Sequence, residues 1–436
     1  MSKAFALDVS WLPQSYGPPP ISVTAASLTI RVGNQIATRN DDDWSKSIEN
    51  SARLALYPLA HWLASCWWRL RWESEPSRNV PGPDWRMAHE LAAAGHGFLW
   101  PNLRFASDSQ SIQVYGHPSN PLSAEPVRFL ADFTEAVPAD AFEREIDNFL
   151  GLVLARLRAL GHEDTALEHL WKEVCKERRD PELVTLRRFE AVLGFDPQEA
   201  PRSLLDRMIS LSNRAGEQAA EEIAPACAGP DPARALNAIE ETASLPGIKS
   251  SSRVADLLRE QLPSETSPTI PWERGRSMAR AVRLSHGWNG EPLTDESVAS
   301  LLGIRESDLK PSWSDGNAPV LGLAVRESGQ DMQLHFRKRN RAGLRFEAAR
   351  LLCDELIAPA GDKWLPATDS RTSRQKTQRA FAAELLCPIK SLDEFLAGDY
   401  SPERVEEAAE RFGISPLAIS SHLANNNRIS RWADAL

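Results

Sequence analysis

Apolar and polar residues change rhythm along the chain, and each change marks a segment. Ser27-Leu28-Thr29-Ile30-Arg31-Val32 alternates with a period of two. It turns at Gly33-Asn34 and resumes over Gln35-Ile36-Ala37-Thr38, which predicts a β-hairpin within 21–39. From Trp44 to about Trp72 the spacing lengthens. Ile48, Ala52, Leu56 and Leu63 predict one helical stripe, capped by Asn40-Asp41-Asp42-Asp43 and kinked or restarted at Pro58. Phe98–Phe105 and Ser111–Tyr115 predict a second hairpin around 106–110.

Beyond Pro126 the pattern becomes helical. Ile146, Phe149, Leu150, Val153 and Leu157 line one face of an expected helix over Phe142–Leu160. Leu167–Cys175, Leu183–Leu193 and Ser203–Ala226 follow, broken at Gly161, Asp180-Pro181 and 196–201. Proline- and serine-rich punctuation then dominates 229–271, with a short helix expected at Val254–Gln261. The C-terminal part predicts a helix over Ser277–Leu284, two strands over Pro319–Glu327 and Asp331–Lys338 joined at Ser328-Gly329, then further helices. The expected organisation is an α/β N-terminal domain (1–125), a helical domain (126–228), a linker (229–271) and a C-terminal domain (272–436). The fold class is α+β, mostly helical, in several domains.

Composition narrows the class. At 436 residues the chain exceeds one ordinary core. Its net charge of −10 argues against a generally basic nucleic-acid coat, although a local basic groove stays open. Trp62, Trp67, Trp68 and Trp72 recur at helical spacings with Arg69 and Arg71 between them. They could stack bases, but an aromatic core is favoured because such rings dominate burial. The five cysteines, Cys66, Cys175, Cys227, Cys353 and Cys387, form no CxxC, so a reduced cytoplasmic protein is expected. Neither a signal-peptide core nor a run of about 20 apolar residues occurs, so no membrane partner is expected. His89 with His96, and His162 with His169, are seven apart. A zinc helix needs histidines four apart, so both pairs are discounted.

The most specific stretch is Leu344–Pro388. It opens with Arg345-Phe346-Glu347-Ala348-Ala349 and closes with Phe381-Ala382-Ala383-Glu384-Leu385-Leu386-Cys387-Pro388. These runs, with the helix-turn segment 292–304 and the closing helical pair 401–423, resemble the ImmA/IrrE-type metallopeptidase family over roughly the last 165 residues. The resemblance implies a zincin-like domain with a small sheet. It also implies an HExxH helix whose histidines bind zinc and whose glutamate acts as general base.

Carried onto this chain, the first histidine position is Arg350, the glutamate position Leu351 and the second histidine position Asp354. The third ligand falls near Gln375 or Thr377. Arginine has no lone pair for a metal and leucine accepts no proton, so neither catalytic residues, metal nor cofactor are expected. In place of the zinc set stand two basic runs: Arg337, Lys338, Arg339, Arg341 and Arg345, then Arg371, Arg374, Lys376 and Arg379. The first run and Arg374, Lys376 and Arg379 are candidate binding residues in a groove for an acidic partner. The competing structural expectation pairs Arg350 with Asp354 and gives Glu384 another arginine.

The resulting reading is a pseudoenzyme, a non-catalytic regulatory or scaffold protein. Its partner would be another protein subunit in a bacterial stress or mobile-element response such as phage defence. The alternative is a component binding DNA or RNA through the basic groove. A third reading keeps an active peptidase with unusual ligands.

Overall fold

The computed structural model describes residues 4–13, 17–76, 81–122, 124–252, 254, 270–311, 319–327 and 331–429. The chain is α+β and mostly helical, with 51% helix and 17% strand in small antiparallel sheets. It forms two compact units, Met1–Leu205 and Asp206–Leu436.

In the first unit, β1 (Phe5–Trp11) pairs antiparallel with β2 (Ala25–Val32), which turns at Gly33 (φ 57°) into β3 (Gln35–Ile36). This is the hairpin expected over 21–39. Next come β4 (Asn40–Asp42), β5 (Ser47–Glu49) and β6 (Ala52–Ala55), ahead of α1 (Leu56–Ser65) and α2 (Trp67–Trp72). The long helix expected from Trp44 therefore starts only at Leu56. Asp42 Oδ1 accepts from Trp44 N at 2.9 Å and closes a turn, Asp41 pairs with Ile48, and β6 adds to β2 with Ala52 opposite Leu28. Ile48 is exposed, so the apparent stripe through Ile48, Ala52 and Leu56 was coincidental. Pro58 stands in the first turn of α1, where a missing N–H costs nothing.

After α3 (Pro83–His89), β7 (Asn102–Ser107) and β8 (Ser111–His117) form the second expected hairpin, while β9 (Val127–Phe129) joins β4 and β10 (Phe133–Pro138) joins β8. Trp62, Trp67 and Trp68 are buried. Trp62 Nε1 donates to Met87 O and Trp68 Nε1 to Glu177 Oε2, both at 2.9 Å. Trp72 lies between the guanidinium groups of Arg71 (3.8 Å) and Arg188 (4.1 Å). These rings pack as a core rather than an open stacking face, with the Trp62 and Trp68 tips hydrogen-bonded and the buried Trp72 Nε1 left without a partner. His89 is also structural, with its ring nitrogens 2.9 Å from Phe105 O and from Glu73 Oε2.

The expected helical domain over 126–228 is not a unit of its own. Its first long helix, α4 (Ala139–Ala159), packs Phe142 against Phe5 and Phe105, and Glu145 Oε1 accepts from Leu7 N at 2.8 Å. It therefore belongs with the N-terminal sheets, followed by α5 (Ala166–Glu177) and α6 (Pro181–Val192). The single helix expected over Ser203–Ala226 is broken by Gly216 (φ 106°) into α7 (Arg202–Ala215) and α8 (Glu217–Cys227). A Cβ at Gly216 would collide with Asp362, so the break also permits a close approach.

The second unit is built on a four-stranded sheet of order β11-β13-β12-β14, antiparallel throughout. Its strands are β11 (Ile248–Ser250), β12 (Gly322–Arg326), β13 (Met332–His335) and β14 (Trp364–Ala367). Much of the expected linker is therefore structured, since α9 (Pro232–Ser244) and β11 fall inside 229–271. A three-residue strand carries no readable period, which is why β11 was missed. The Val254–Gln261 helix, the 263–268 punctuation and the Ser328-Gly329 joint lie outside the described residues, apart from Val254.

Helices α10 (Pro271–Ser285), α11 (Asp295–Leu301), α12 (Arg341–Ile357), α13 (Ser373–Leu386), α14 (Ile389–Leu396), α15 (Pro402–Phe412) and α16 (Pro416–Asn425) complete the unit. Their core joins Phe336, Leu351, Leu352, Phe381, Leu385 and Phe412. Gly275 lets α10 cross α13 backbone to backbone, because a Cβ there would overlap Thr377 O and lie 2.9 Å from Phe381 N. Among the described residues no helix is long and apolar enough to cross a membrane.

Candidate functional site

The two helices that carry the Arg345–Ala349 and Phe381–Leu386 runs begin on side-chain caps. Asn340 Oδ1 accepts from Gly343 N at 2.7 Å to start α12, and Thr372 Oγ1 accepts from Gln375 N at 3.2 Å to start α13. Arg350 and Asp354, four apart, share one face of α12. Both meet partners from the β14–α13 segment, but they do not pair with each other as the structural expectation had it. Asp354, fully buried, receives a fork from Arg374, with Nε at 2.7 Å and Nη2 at 2.8 Å. Arg374 Nη1 reaches the buried Asp362 at 2.6 Å. Arg350, also buried, donates Nη2 to Thr368 O and to Gln375 Oε1.

Gln375 is saturated. Its Oε1 accepts from Arg350 and from Thr368 N (2.9 Å), and its Nε2 donates to Glu222 Oε2 and Pro366 O, both at 3.0 Å. Glu222, from α8, accepts a second bond from Thr372 Oγ1 at 2.6 Å. Thus Arg350, Asp354 and Gln375 are brought to one place. Leu351 turns into the apolar core, and Thr377 bonds back to Ser373 O at 2.9 Å within its own helix.

Burial governs the electrostatics here. It pushes the Glu222 carboxyl upward, against the pull of Arg374. Burial alone would lower Arg374, yet Asp354, Glu222 and Asp362 together hold it above its ordinary value. The Cys353 thiol is raised well above its usual range by burial, so it offers neither thiolate ligand nor nucleophile. Both oxygens of Asp354 and the oxygen of Gln375 are engaged. Among the described residues, no group of three or more His, Cys, Asp or Glu is placed to hold a metal ion. Leu351 carries no group that accepts a proton.

The basic residues fare differently from an open groove. Arg337 forks onto Asp369, with two bonds at 2.9 Å, and holds that carboxyl down at about 2. Arg341 grips Asp295 at 2.6 and 2.9 Å. Arg345 is fully buried, bonded to Asp295, Leu293 O (2.7 Å) and Gly413 O (3.1 Å), so it lines no groove. Arg374 belongs to the buried network. Lys338 and Lys376 are half-buried, and Arg339 is exposed. Arg379 is half-buried and donates Nη2 to Ser370 O at 2.8 Å. Glu384 takes Arg280 at 2.7 Å, an arginine from outside both runs.

No family model matches the chain, and no curated protein matches it. Sequence reasoning missed Asp295 and Asp362, which pair with arginines of the basic runs, and Glu222, which bonds Thr372 and Gln375, because it counted only acids nearby in the chain. One signal was present. Glu222 falls among the buried Ala219, Ala220, Ile223 and Ala224, and a carboxylate inside an apolar helical face calls for a buried partner.

Proposed function

We propose that this chain is a non-catalytic regulatory or scaffold protein, built on a peptidase-like domain whose metal site is replaced by fixed side-chain cross-links. It would act through another protein subunit in a bacterial stress or mobile-element response, in the cytoplasm. The observation that supports this reading is the state of Arg350, Asp354 and Gln375. All three stand at or near positions where the family resemblance calls for zinc ligands, and each is tied to internal partners. A site that must exchange substrate and water would keep at least one such position open.

Two measurements test the proposal. Elemental analysis of purified chain should give no stoichiometric zinc, and zinc that disappears in Asp354→Ala would overturn the non-catalytic reading. A pull-down with the products of neighbouring genes should recover a stable complex, and repeated failure would count against the scaffold role. A nucleic-acid backbone is a poorer fit, because it wants a row of open cations, whereas Arg337, Arg341, Arg345 and Arg374 all hold carboxylates of this chain.

A further inference from the structure

Trp44 differs from the tryptophans that build the core of the first unit. Trp62, Trp67, Trp68, Trp85 and Trp100 are buried, whereas Trp44 is 86% exposed. It stands at the tip of the β4–β5 hairpin, and Ile48, opposite Asp41 in that hairpin, is 54% exposed. The tip is held firmly. Asp42 Oδ1 accepts from Trp44 N at 2.9 Å and from Ser45 N at 3.3 Å, Lys46 Nζ reaches Asp43 at 2.7 Å, and the Ser45 and Ser47 hydroxyls meet at 2.8 Å. The chain thus orders the backbone beneath an indole that it leaves in water. An aromatic presented this way suits a pocket elsewhere, because little ordering entropy remains to be lost when it is buried.

The same unit holds such a pocket. A cavity of about 320 Å³ lies between α4 and α5, close to the smallest that take a ligand and suited to one large side chain. Leu154 and Trp171 form its buried floor, and the exposed Arg158, Lys172, Lys176 and Arg179 form its rim. Being 86% exposed, Trp44 does not fill this cavity in its own molecule.

The charges of the two features are opposite. In the hairpin, Asp41 pairs with Arg128 and Asp43 with Lys46, while Asp42 and Glu49 accept from N–H and hydroxyl groups. Four acids there meet two cations. At the cavity, Arg158 and Lys172 share Glu168, at 2.7 and 3.2 Å, and Lys176 lies 3.6 Å from Glu173. Four cations there meet two acids. An acidic collar around Trp44 repels nucleic-acid phosphates and anionic lipid surfaces, but it complements this basic rim.

We propose that the chain associates with a second copy of itself, the Trp44 hairpin of one molecule entering the α4–α5 cavity of the other. The exchange is reciprocal in a closed pair, or head to tail in a growing assembly. This association involves the first unit and does not rest on the scaffold reading above.

Sedimentation velocity of the full chain tests it. Association should weaken as salt rises, because the matching charges are exposed. Trp44→Ala should raise the dissociation constant at least about 30-fold, as loss of a central aromatic anchor does. Lys172→Glu combined with Lys176→Glu should weaken association too. All three side chains are exposed, so the fold should survive, and circular dichroism checks that it does. The deciding step mixes the two variants. Trp44→Ala keeps an intact cavity and the lysine variant keeps an intact hairpin, so the mixture should associate more tightly than either variant alone. A wild-type chain that stays monomeric at about 100 µM in low salt would overturn the proposal. So would association untouched by Trp44→Ala, or a mixture no tighter than its components. A monomeric result leaves the pull-down standing, and a failed pull-down leaves this association standing, so the two readings fail separately.

Discussion

Replacing Arg374 with methionine removes the side chain that binds two buried carboxylates. The change deletes three charge-assisted bonds, at 2.7 and 2.8 Å to Asp354 and 2.6 Å to Asp362, and fills the space with an apolar chain of similar length. Both carboxylates are sealed from water, with side-chain exposures of 0% and 3%, so neither can recover its solvation. Breaking a buried ion pair from one side costs about 3–5 kcal/mol, mostly through the charge left behind. With a urea dependence of roughly 2–3 kcal/mol per molar, the unfolding midpoint should fall by about 1–2 M.

Asp354→Asn is gentler, at about 2 kcal/mol, because Arg374 keeps Asp362. The double variant should lose about 1–3 kcal/mol less than the sum of the singles, because it carries one fewer orphaned charge. Urea titration followed by circular dichroism gives the midpoints. Hydrogen exchange read by mass spectrometry should show faster exchange in α12 and α13 while α4 and α5 keep their protection. A midpoint shift below about 0.3 M for Arg374→Met, or strictly additive losses, would refute the claim that these charges form one coupled buried network.

Three further outcomes follow from the same geometry. Gly275→Ala should cost about 2 kcal/mol or more in urea unfolding, since the new methyl meets the α13 backbone at Thr377 and Phe381 rather than a side chain that can move. Glu222→Ala should cost about 1–3 kcal/mol by stranding the Thr372 hydroxyl and a Gln375 N–H, while Glu222→Gln, which keeps an acceptor and drops a charge that burial already disfavours, should cost less. Asp369 titrates at about 2 in the fold, against about 3.9 in an unfolded chain, so its pairing with Arg337 stabilises above pH 4 and is lost as pH falls toward 2. Because the Asp369 side chain is 42% exposed, solvent screening leaves about 1 kcal/mol of that effect; Asp369→Asn should show this deficit at pH 7 and a shrinking one toward pH 3, by urea midpoints at each pH.

The elements that sequence reading located best are those with a long period or a strong stop. Helix α12 follows its expected motif and α15 ends at Gly413 (φ 65°), while β2 and β3 flank the expected turn. What stayed hidden was set by pairing over long distance. Strands β11 and β14 are three and four residues long and exist because β13 and β12 offer them partners. Residues 44–55 carry apolar spacings that suit either a helix or short strands, and tertiary pairing decided for strands. At the candidate site the cationic residues were visible, but their neutralisation was not. Asp295 lies 50 positions from Arg345 and 46 from Arg341. Charge counted along a chain overstates the field in space whenever partners arrive from distant elements.

The fork of Arg374 on Asp354 and Asp362 also determines what the helix pair depends on. Where a metal ion holds helices together, stability contains a mass-action term and falls as the free ion becomes scarce. Here the cross-link is carried by the chain itself, at one equivalent per molecule, so no chelator can extract it and no shortage can empty it. Added salt also has little purchase, because counterions screen buried charges weakly. A domain clamped in this way keeps its shape under metal starvation, a condition in which a zinc-held domain would loosen.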